Sequence, residues 1–342
     1  MARRRGWKRL GSPGRFRYVD ARGRPIADAE ALERIDALRI PPAWRDVRIS
    51  PRPYAKLQAT GVDRAGRVQY LYHSEYRAQQ EQAKFDKLIR FAERLPELRA
   101  AMAQHIDEAP LTFEWTAAVA VRLINLGWFR VGDERYAKRF RTFGITTLRK
   151  GHARVRGSRI TFRFRAKNRA LVRTAVVDDE LAEAIRELLA AKGGRRLFRY
   201  RNGNGNGNGL CSLTGAGVNE YIREHMGEEF TAKDFRTWGG TLLAAIALAE
   251  RGVAESESES KRVIAAVMRT VGERLGNTPA VARASYVSPA VIEQYLDGRT
   301  IEDFRPRHLR VVGARDVGLD REEQALLSLL RSHRIRKARK AA

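Results

Sequence analysis

The feature that most restricts the fold is a change of hydrophobic period near Ser74. Upstream, short runs such as Arg15-Phe16-Arg17-Tyr18-Val19 and Arg67-Val68-Gln69-Tyr70-Leu71-Tyr72 alternate basic with apolar residues, the two-residue repeat of strands with one wet face. Downstream, Phe85, Leu88, Ile89, Ala92 and Leu95 recur at spacings of three and four, which places them on one side of a helix. Strands gathered before helices predict an α+β chain: a small N-terminal antiparallel sheet domain with helices, then a larger, mainly helical domain containing a short three-stranded sheet. Acid, Ala and Pro between Asp107 and Pro110 interrupt two helical patterns, so the expected domains are 1–107 and 108–304, followed by a basic tail over 305–342.

Within the first region, Ala27 to Leu38 reads as a helix with Asp28 and Glu30 in its first turn, and Val47 to Ser50 as a strand. In the strand from Arg67 to Tyr72, Arg67, Gln69 and Leu71 point one way and Val68, Tyr70 and Tyr72 the other. Tyrosines beside arginines suit sugars and phosphates, or a sheet packed on a helix. Pro96 is expected to kink or break its helix. Leu111 to Trp128 is a strongly apolar helix, and Asp133 and Glu134 open the next, so Arg130 sits on the turn between them. Three strands follow, at 153–155, 159–165 and 170–177. The turn from Ala166 to Arg169 puts Lys167 at a hairpin tip, where a lysine is ordinarily only solvated.

Further helices are expected over 178–191, 213–226, 231–250, 263–275 and 289–296, with a short basic strand at 195–200 and a helical segment near 322–330 in an otherwise mobile tail. NGNGNGNG (202–209) and the Ser/Glu repeat at 256–260 read as spacers.

Charge narrows the function. The 342 residues hold 66 Lys and Arg against 40 Asp and Glu, a net +26, and such a field attracts polyanions, nucleic acid first among them; an anionic membrane surface or an arginine-rich proteome are the plainer readings. A single cysteine, Cys211, rules out an internal disulfide and a CxxC metal site, and six scattered histidines form no ligand pair. No apolar run of membrane-spanning length and no secretory signal is present, so a soluble cytoplasmic protein is expected.

The stretch Leu275-Gly-Asn-Thr-Pro-Ala-Val-Ala-Arg-Ala-Ser-Tyr286 resembles a delivery device. Thr278 can cap a helix, Pro279 suits its first turn, and the helix carries Tyr286. Arg236 falls in the first turns of an otherwise apolar helix, where a buried guanidinium must be paired or must await an anion. Taken together, Arg130, Lys167, Arg236, Asn277 and Tyr286 supply the parts needed to break a phosphodiester without metal. Tyr286 would be the nucleophile, two guanidiniums would bind the nonbridging oxygens, Lys167 would give a proton to the departing 5′ oxygen, and Asn277 would donate one more hydrogen bond. No side chain in the set is an obvious base for the tyrosine, which leaves water as the default.

In order, GVDRAGRVQYLYH, FRVGDERYAK, FGITTLRKGH, FRAK, KDFRTWGG and GNTPAVARASY resemble motifs of the type IB DNA topoisomerases of poxviral and bacterial kind, over nearly the whole chain from about Arg15 to Phe304. The family pattern places its catalytic arginines at Arg130 and Arg236, its general-acid lysine at Lys167 and its nucleophile at Tyr286. Asn277 stands where poxviral members use His, as in bacterial relatives. Ala166 replaces a usual Gly, and Arg139-Phe140 replaces Glu-Asn. The resemblance implies a clamp around supercoiled duplex DNA, with Arg67, Gln69, Tyr70, Tyr72, Tyr136 and Lys233 as DNA contacts. It further implies a 3′-phosphotyrosyl intermediate, rotation and religation by a nucleoid-associated monomer without cofactor, metal or membrane. A tyrosine recombinase, which resembles this family in its Arg-Lys-Arg-Tyr chemistry, is the nearest alternative; a noncatalytic basic DNA-packaging protein is one of another class.

Overall fold

The computed structural model describes residues 6–201, 209–305 and 318–341; the asparagine-glycine run up to Asn208 and the segment 306–317 lie outside them. Two compact units part at Lys84/Phe85. The first contains β1 (Trp7–Leu10), β2 (Arg17–Val19), α1 (Ala29–Ala37), β3 (Arg45–Ile49), β4 (Leu57–Val62) and β5 (Val68–Tyr72). The strands form one antiparallel sheet in the order β2-β1-β3-β4-β5. Alternation turns Val47, Ile49 and Ala59 to one face, where they bury Ile35 of α1 and Ile40, with Trp7, Tyr18, Trp44 and Leu71 around them. Asp28 caps α1 by accepting from Ala31 N at 2.9 Å. Arg34 then ties the helix to the sheet through Gln58 Oε1 (2.7 Å) and the Ser50 carbonyl (2.6 Å). On β5, Val68, Tyr70 and Tyr72 are exposed while Gln69 and Leu71 are half-buried, as the two-residue period dictates.

Helix α2 (Ser74–Ile106) runs through Pro96 instead of breaking there, and ends where the sequence suggests a boundary. The proline removes one ladder hydrogen bond, but Phe91, Ala92, Leu95, Leu98 and Met102 on either side of it are all buried, and their packing holds the helix together. The second unit continues with α3 (Phe113–Gly127), α4 (Glu134–Phe140), β6 (Ala153–Arg156), β7 (Arg159–Arg165), β8 (Leu171–Val177), α5 (Asp179–Ala190), β9 (Arg199–Arg201) and β10 (Leu210–Ser212). It closes with α6 (Gly215–Met226), α7 (Ala232–Arg251), α8 (Glu257–Leu275), α9 (Pro279–Ser285), α10 (Pro289–Leu296) and α11 (Arg321–Ala341). Strands β6-β7-β8 form a small antiparallel sheet. Its inner face, Ile160, Phe162 and Phe164, packs into the helical core, with Phe129 edge-on to Phe162. The outer face of the same strands carries exposed Arg159, Arg163, Arg165 and Arg173. The fold is α+β with a helical majority.

Three local readings change. The Ser/Glu repeat is no spacer: α8 begins at Glu257, with Ser256 accepting from Glu259 N at 3.2 Å and Glu257 pairing with Lys261 at 2.7 Å. An Ser-x-x-Glu start with acids in the first turn favours a helix N-terminus, and low complexity hid it. The basic strand is later and paired, β9 with β10. Past Leu319 the chain is not a loose tail with a short helix. Asp320 caps α11 (Glu323 N to Asp320 Oδ1, 2.8 Å), and Ala325, Leu326, Leu329 and Leu330 are buried. Glu323, only 4% exposed, takes a bidentate bond from Arg99 at 2.7 and 2.8 Å and another from Trp238 Nε1 at 3.2 Å. A basic composition masked this apolar stripe.

Candidate active site

Four of the five side chains converge on the C-terminal end of α8. That helix stops at Gly276, whose φ of 61° is the left-handed cap a glycine adopts without strain. Its last carbonyls have no helical partners and carry the negative end of the helix dipole. Both guanidiniums dock there. Arg236 Nη2 donates to the Leu275 carbonyl at 2.7 Å, and Arg130 Nη2 donates to the Gly276 carbonyl at 3.0 Å and to Asn277 Oδ1 at 2.8 Å. Asn277 Nδ2 returns a bond to the Leu275 carbonyl at 3.2 Å. One Nδ2 hydrogen remains for another acceptor.

Each arginine is aimed by its own backbone. Helix α3 ends at Trp128, in the left-handed region at φ 50°, and the Trp128 carbonyl accepts from Arg236 Nη1 at 2.7 Å. Beyond it, the Arg130 carbonyl accepts from Ile145 N (2.7 Å) and the Val131 carbonyl from Thr146 N (2.8 Å). Gly132 and Gly144 cross so closely that a Cβ on Gly144 would lie 2.5 Å from the Arg130 oxygen. Arg236 sits on the second turn of α7, whose start is fixed by Thr231 N donating to Asp234 Oδ2 at 2.8 Å and by the Lys87–Asp234 pair at 2.8 Å. The residue is 6% exposed, and its Nε is buried with no partner.

Tyr286 caps the C-terminal end of α9, a helix begun by Thr278 and Pro279. The Arg236 guanidinium lies 5.0 Å from the centre of its ring. Burial alone would raise the phenol's pKa; the positive charge of Arg236 and a hydrogen bond from its guanidinium, then the charges of Arg130 and Lys233, outweigh it and hold the hydroxyl below its ordinary value of 10. Burial, and next the charge of Arg236, draw Arg130 down to about 10, which leaves it cationic at neutral pH. Burial likewise lowers Arg236.

Lys167 opens a 3-10 turn at the tip between β7 and β8. Its side chain is exposed and has no hydrogen-bond or ion-pair partner among the described residues, the other four included. Its neighbours Ala166 and Ala170 nevertheless line the cavity of about 650 Å³ that Arg130 and Arg236 also line. Among the described residues no three His, Cys, Asp or Glu side chains gather as a metal ion would require, and no helix is long and apolar enough to cross a membrane.

The residues expected to touch DNA are dispersed. Tyr70 and Tyr72 lie exposed on β5, rings 6.3 Å apart, with Tyr76 5.6 Å from Tyr72. Arg67 and Gln69 are engaged by Asp63, through Arg67 Nε (2.8 Å) and Gln69 Nε2 (2.9 Å). The amide and guanidinium of Arg67 hold that carboxyl at about 2. Tyr136, half-buried on α4, packs 5.7 Å from Phe140. Lys233 is exposed on the first turn of α7, close enough for its charge to act on Tyr286.

Sequence reasoning passed over the glycines that let these parts meet. A Cβ on Gly239 would collide with the Trp128 indole, and one on Gly240 would lie 2.8 and 2.9 Å from the Tyr286 carbonyl oxygen and Cβ. A Gly-Gly pair inside an apolar helix was the available sign of close approach.

A sequence model of the eukaryotic DNA topoisomerase I catalytic core matches residues 73–304, and one of the bacterial DNA topoisomerase IB N-terminal domain matches residues 15–63. DNA topoisomerase 1B of Acanthamoeba polyphaga mimivirus is 32% identical over 268 residues, covering 77% of this chain and 80% of the viral protein. DNA topoisomerase I of Monkeypox virus and DNA topoisomerase 1B of Vaccinia virus (strain Copenhagen) are each 22% identical over 281 residues, 80% of this chain and 85% of theirs. With a family match over most of its length and a relative this similar, the chain belongs to the type IB DNA topoisomerases.

Proposed function

We propose that the chain relaxes supercoiled duplex DNA by cutting one strand through a 3′-phosphotyrosyl intermediate and resealing it, with neither ATP nor metal. The Tyr286 oxygen attacks the scissile phosphorus and forms a new ester as the bond to the 5′ oxygen breaks. The phenolic proton passes to water, eased by the guanidiniums that depress its pKa. Lys167 gives its proton to the leaving 5′ oxygen, a step worth ~10² to 10⁴ in rate. One ester replaces another, so rotation and religation need no energy input. Arg130 and Arg236 bind the nonbridging oxygens, and Asn277 both orients Arg130 and offers its spare hydrogen to the phosphoryl group.

One observation carries this reading: a buried arginine beside the tyrosine retains an unpartnered Nε, which costs stability unless an anion completes it. Lys167 enters through its place at a hairpin tip whose neighbours Ala166 and Ala170 line the cavity shared with Arg130 and Arg236. Exposed Tyr70 and Tyr72, with Tyr136 and Lys233, would contact the duplex backbone, and Arg67 and Gln69 would do so from their places on Asp63. The protein would act as a nucleoid-associated monomer. The test is relaxation of a supercoiled plasmid lacking any chosen site, in chelator and without ATP. Relaxation is expected, and Tyr286→Phe should abolish it while DNA binding persists. Dependence on a special sequence would favour a recombinase, relaxation that survives Tyr286→Phe would remove Tyr286 as the nucleophile, and DNA binding without relaxation by either protein would leave only DNA packaging.

A further inference from the structure

We propose that Thr241 is a positioning residue that fixes the phenol of Tyr286 relative to Arg236. This rests on Tyr286 being the nucleophile. Thr241 lies on α7, five residues beyond Arg236, and is fully buried. Its hydroxyl proton is shared between the Thr237 carbonyl at 2.8 Å and the Tyr286 carbonyl at 3.1 Å, and its oxygen accepts from Ser288 N at 3.1 Å. The first contact is the ordinary back-bond of a helical threonine. The other two are not: they reach across to the turn that follows α9 and leads into α10.

The other backbone bonds of that turn are local, with Tyr286 N and Val287 N both donating to the Ala282 carbonyl at 2.9 and 3.1 Å. Tyr286 has left helical geometry (φ −131°, ψ −13°), and Ser288, the N-cap of α10, makes no side-chain cap bond. Val287 and Ser288 are buried, so backbone groups here must find partners inside the protein. Thr241 supplies the partner of the Tyr286 carbonyl and of the Ser288 amide. Gly240 lets α7 come near enough, since any Cβ there would meet the Tyr286 backbone. One helix thus carries Arg236 directly and holds the backbone of Tyr286 one and a half turns later. The separation of guanidinium and phenol is thereby set within α7, and the position of the nucleophile does not depend on the exposed α9 alone.

Three variants of the full chain test this on a suicide duplex in single-turnover cleavage. Thr241→Val keeps the branched shape without the hydroxyl, and misplacing a nucleophile by about 1 Å costs ~10²-fold; that loss is expected, with DNA affinity unchanged. Thr241→Ser keeps the hydroxyl and should cleave near the wild-type rate. In Thr241→Val the ascending limb of the pH–rate profile, which reports ionisation of the phenol, should also move to higher pH as the phenol leaves the guanidinium field. A merely structural threonine would lower the melting temperature and leave that limb in place. Wild-type cleavage by Thr241→Val, or a Thr241→Ser protein as slow as the valine form, overturns the proposal. If Thr241→Val does not fold, Thr241→Ala is compared with Thr241→Ser by the same readings. Tyr286→Phe run in parallel separates the two claims: a persisting covalent adduct refutes the nucleophile assignment, whereas its loss beside normal Thr241→Val cleavage refutes only the positioning role.

Discussion

Arg236→Lys preserves charge and asks whether the shape of the guanidinium matters. Arg236 meets three demands at once: Nη1 on the Trp128 carbonyl at 2.7 Å, Nη2 on the Leu275 carbonyl at 2.7 Å, and a guanidinium 5.0 Å from the Tyr286 ring centre with Nε left over. A lysine has one nitrogen, so it cannot lie within bonding distance of both carbonyls and still face a phosphate. If the ammonium turns to the phosphate, at least one buried carbonyl loses its partner, a stability cost of about 1–3 kcal/mol. If the ammonium stays on the carbonyls, the transition state loses one preorganised donor, worth ~10² to 10³ in rate. The assay is single-turnover cleavage of a suicide duplex, with affinity measured separately on uncleavable DNA. Cleavage should fall by that factor while affinity, spread over many phosphate contacts, changes little. A lysine enzyme that cleaves within about tenfold of wild type, below the loss of even one such donor, would refute the fork argument.

Other expectations follow from the same geometry. Because the Tyr286 hydroxyl is depressed in the folded protein, it loses its proton before an exposed tyrosine does as pH rises. A tyrosinate absorbance titration should therefore show one phenol ionising below 10, absent in Tyr286→Phe and moved upward in Arg236→Gln; the stability this phenolate contributes is present at alkaline pH and lost as pH falls through its folded pKa. Lys167→Ala should slow cleavage by ~10² to 10⁴ on normal DNA, yet far less on a strand whose leaving 5′ oxygen is replaced by sulfur, since a thiolate departs without a proton; equal losses on both would remove Lys167 from the acid role. Arg163 and Arg173 face each other directly across β7 and β8, a like-charge pair that disfavours the sheet. Replacing both by Ala should leave the melting temperature the same or higher, and should lower the salt slope of DNA binding by about 1 for each residue that touches a phosphate.

The sequence disclosed most where local chemistry and tertiary context agree. Alternation in Arg159–Arg165 and the three-and-four spacing through Leu88 and Leu95 survive because the buried face of each is continuous. Arg236 stood out because a charge in an apolar helix needs a reason, and the reason is visible as two carbonyls and an unpartnered Nε. The opposing cases are equally specific. The stripe of Leu326, Leu329 and Leu330 was outweighed by its basic surroundings, and the cap at Ser256 by repetition. Strands β1 and β4 pass unnoticed in a local reading, because Trp7-Lys8-Arg9-Leu10 is short and Leu57-Gln58-Ala59-Thr60-Gly61-Val62 lacks a sustained two-residue alternation. The docking of Arg130 and Arg236 on the end of α8 could not be read at all, since it depends on where a helix stops in space and on which carbonyls that exposes.

The most direct measurement is to trap the protein on a suicide duplex, digest with trypsin and locate the nucleotide by fragmentation mass spectrometry. Cleavage after Arg283 and Arg299 yields one peptide carrying both Tyr286 and Tyr295, so the comparison is internal. Tyr295 is buried and its hydroxyl donates to the Gly252 carbonyl at 3.1 Å, whereas Tyr286 lies against Arg236. The account predicts a 3′-phosphonucleotide on Tyr286 alone. A nucleotide on Tyr295, on any other residue, or on none under conditions where the plasmid is relaxed would contradict it.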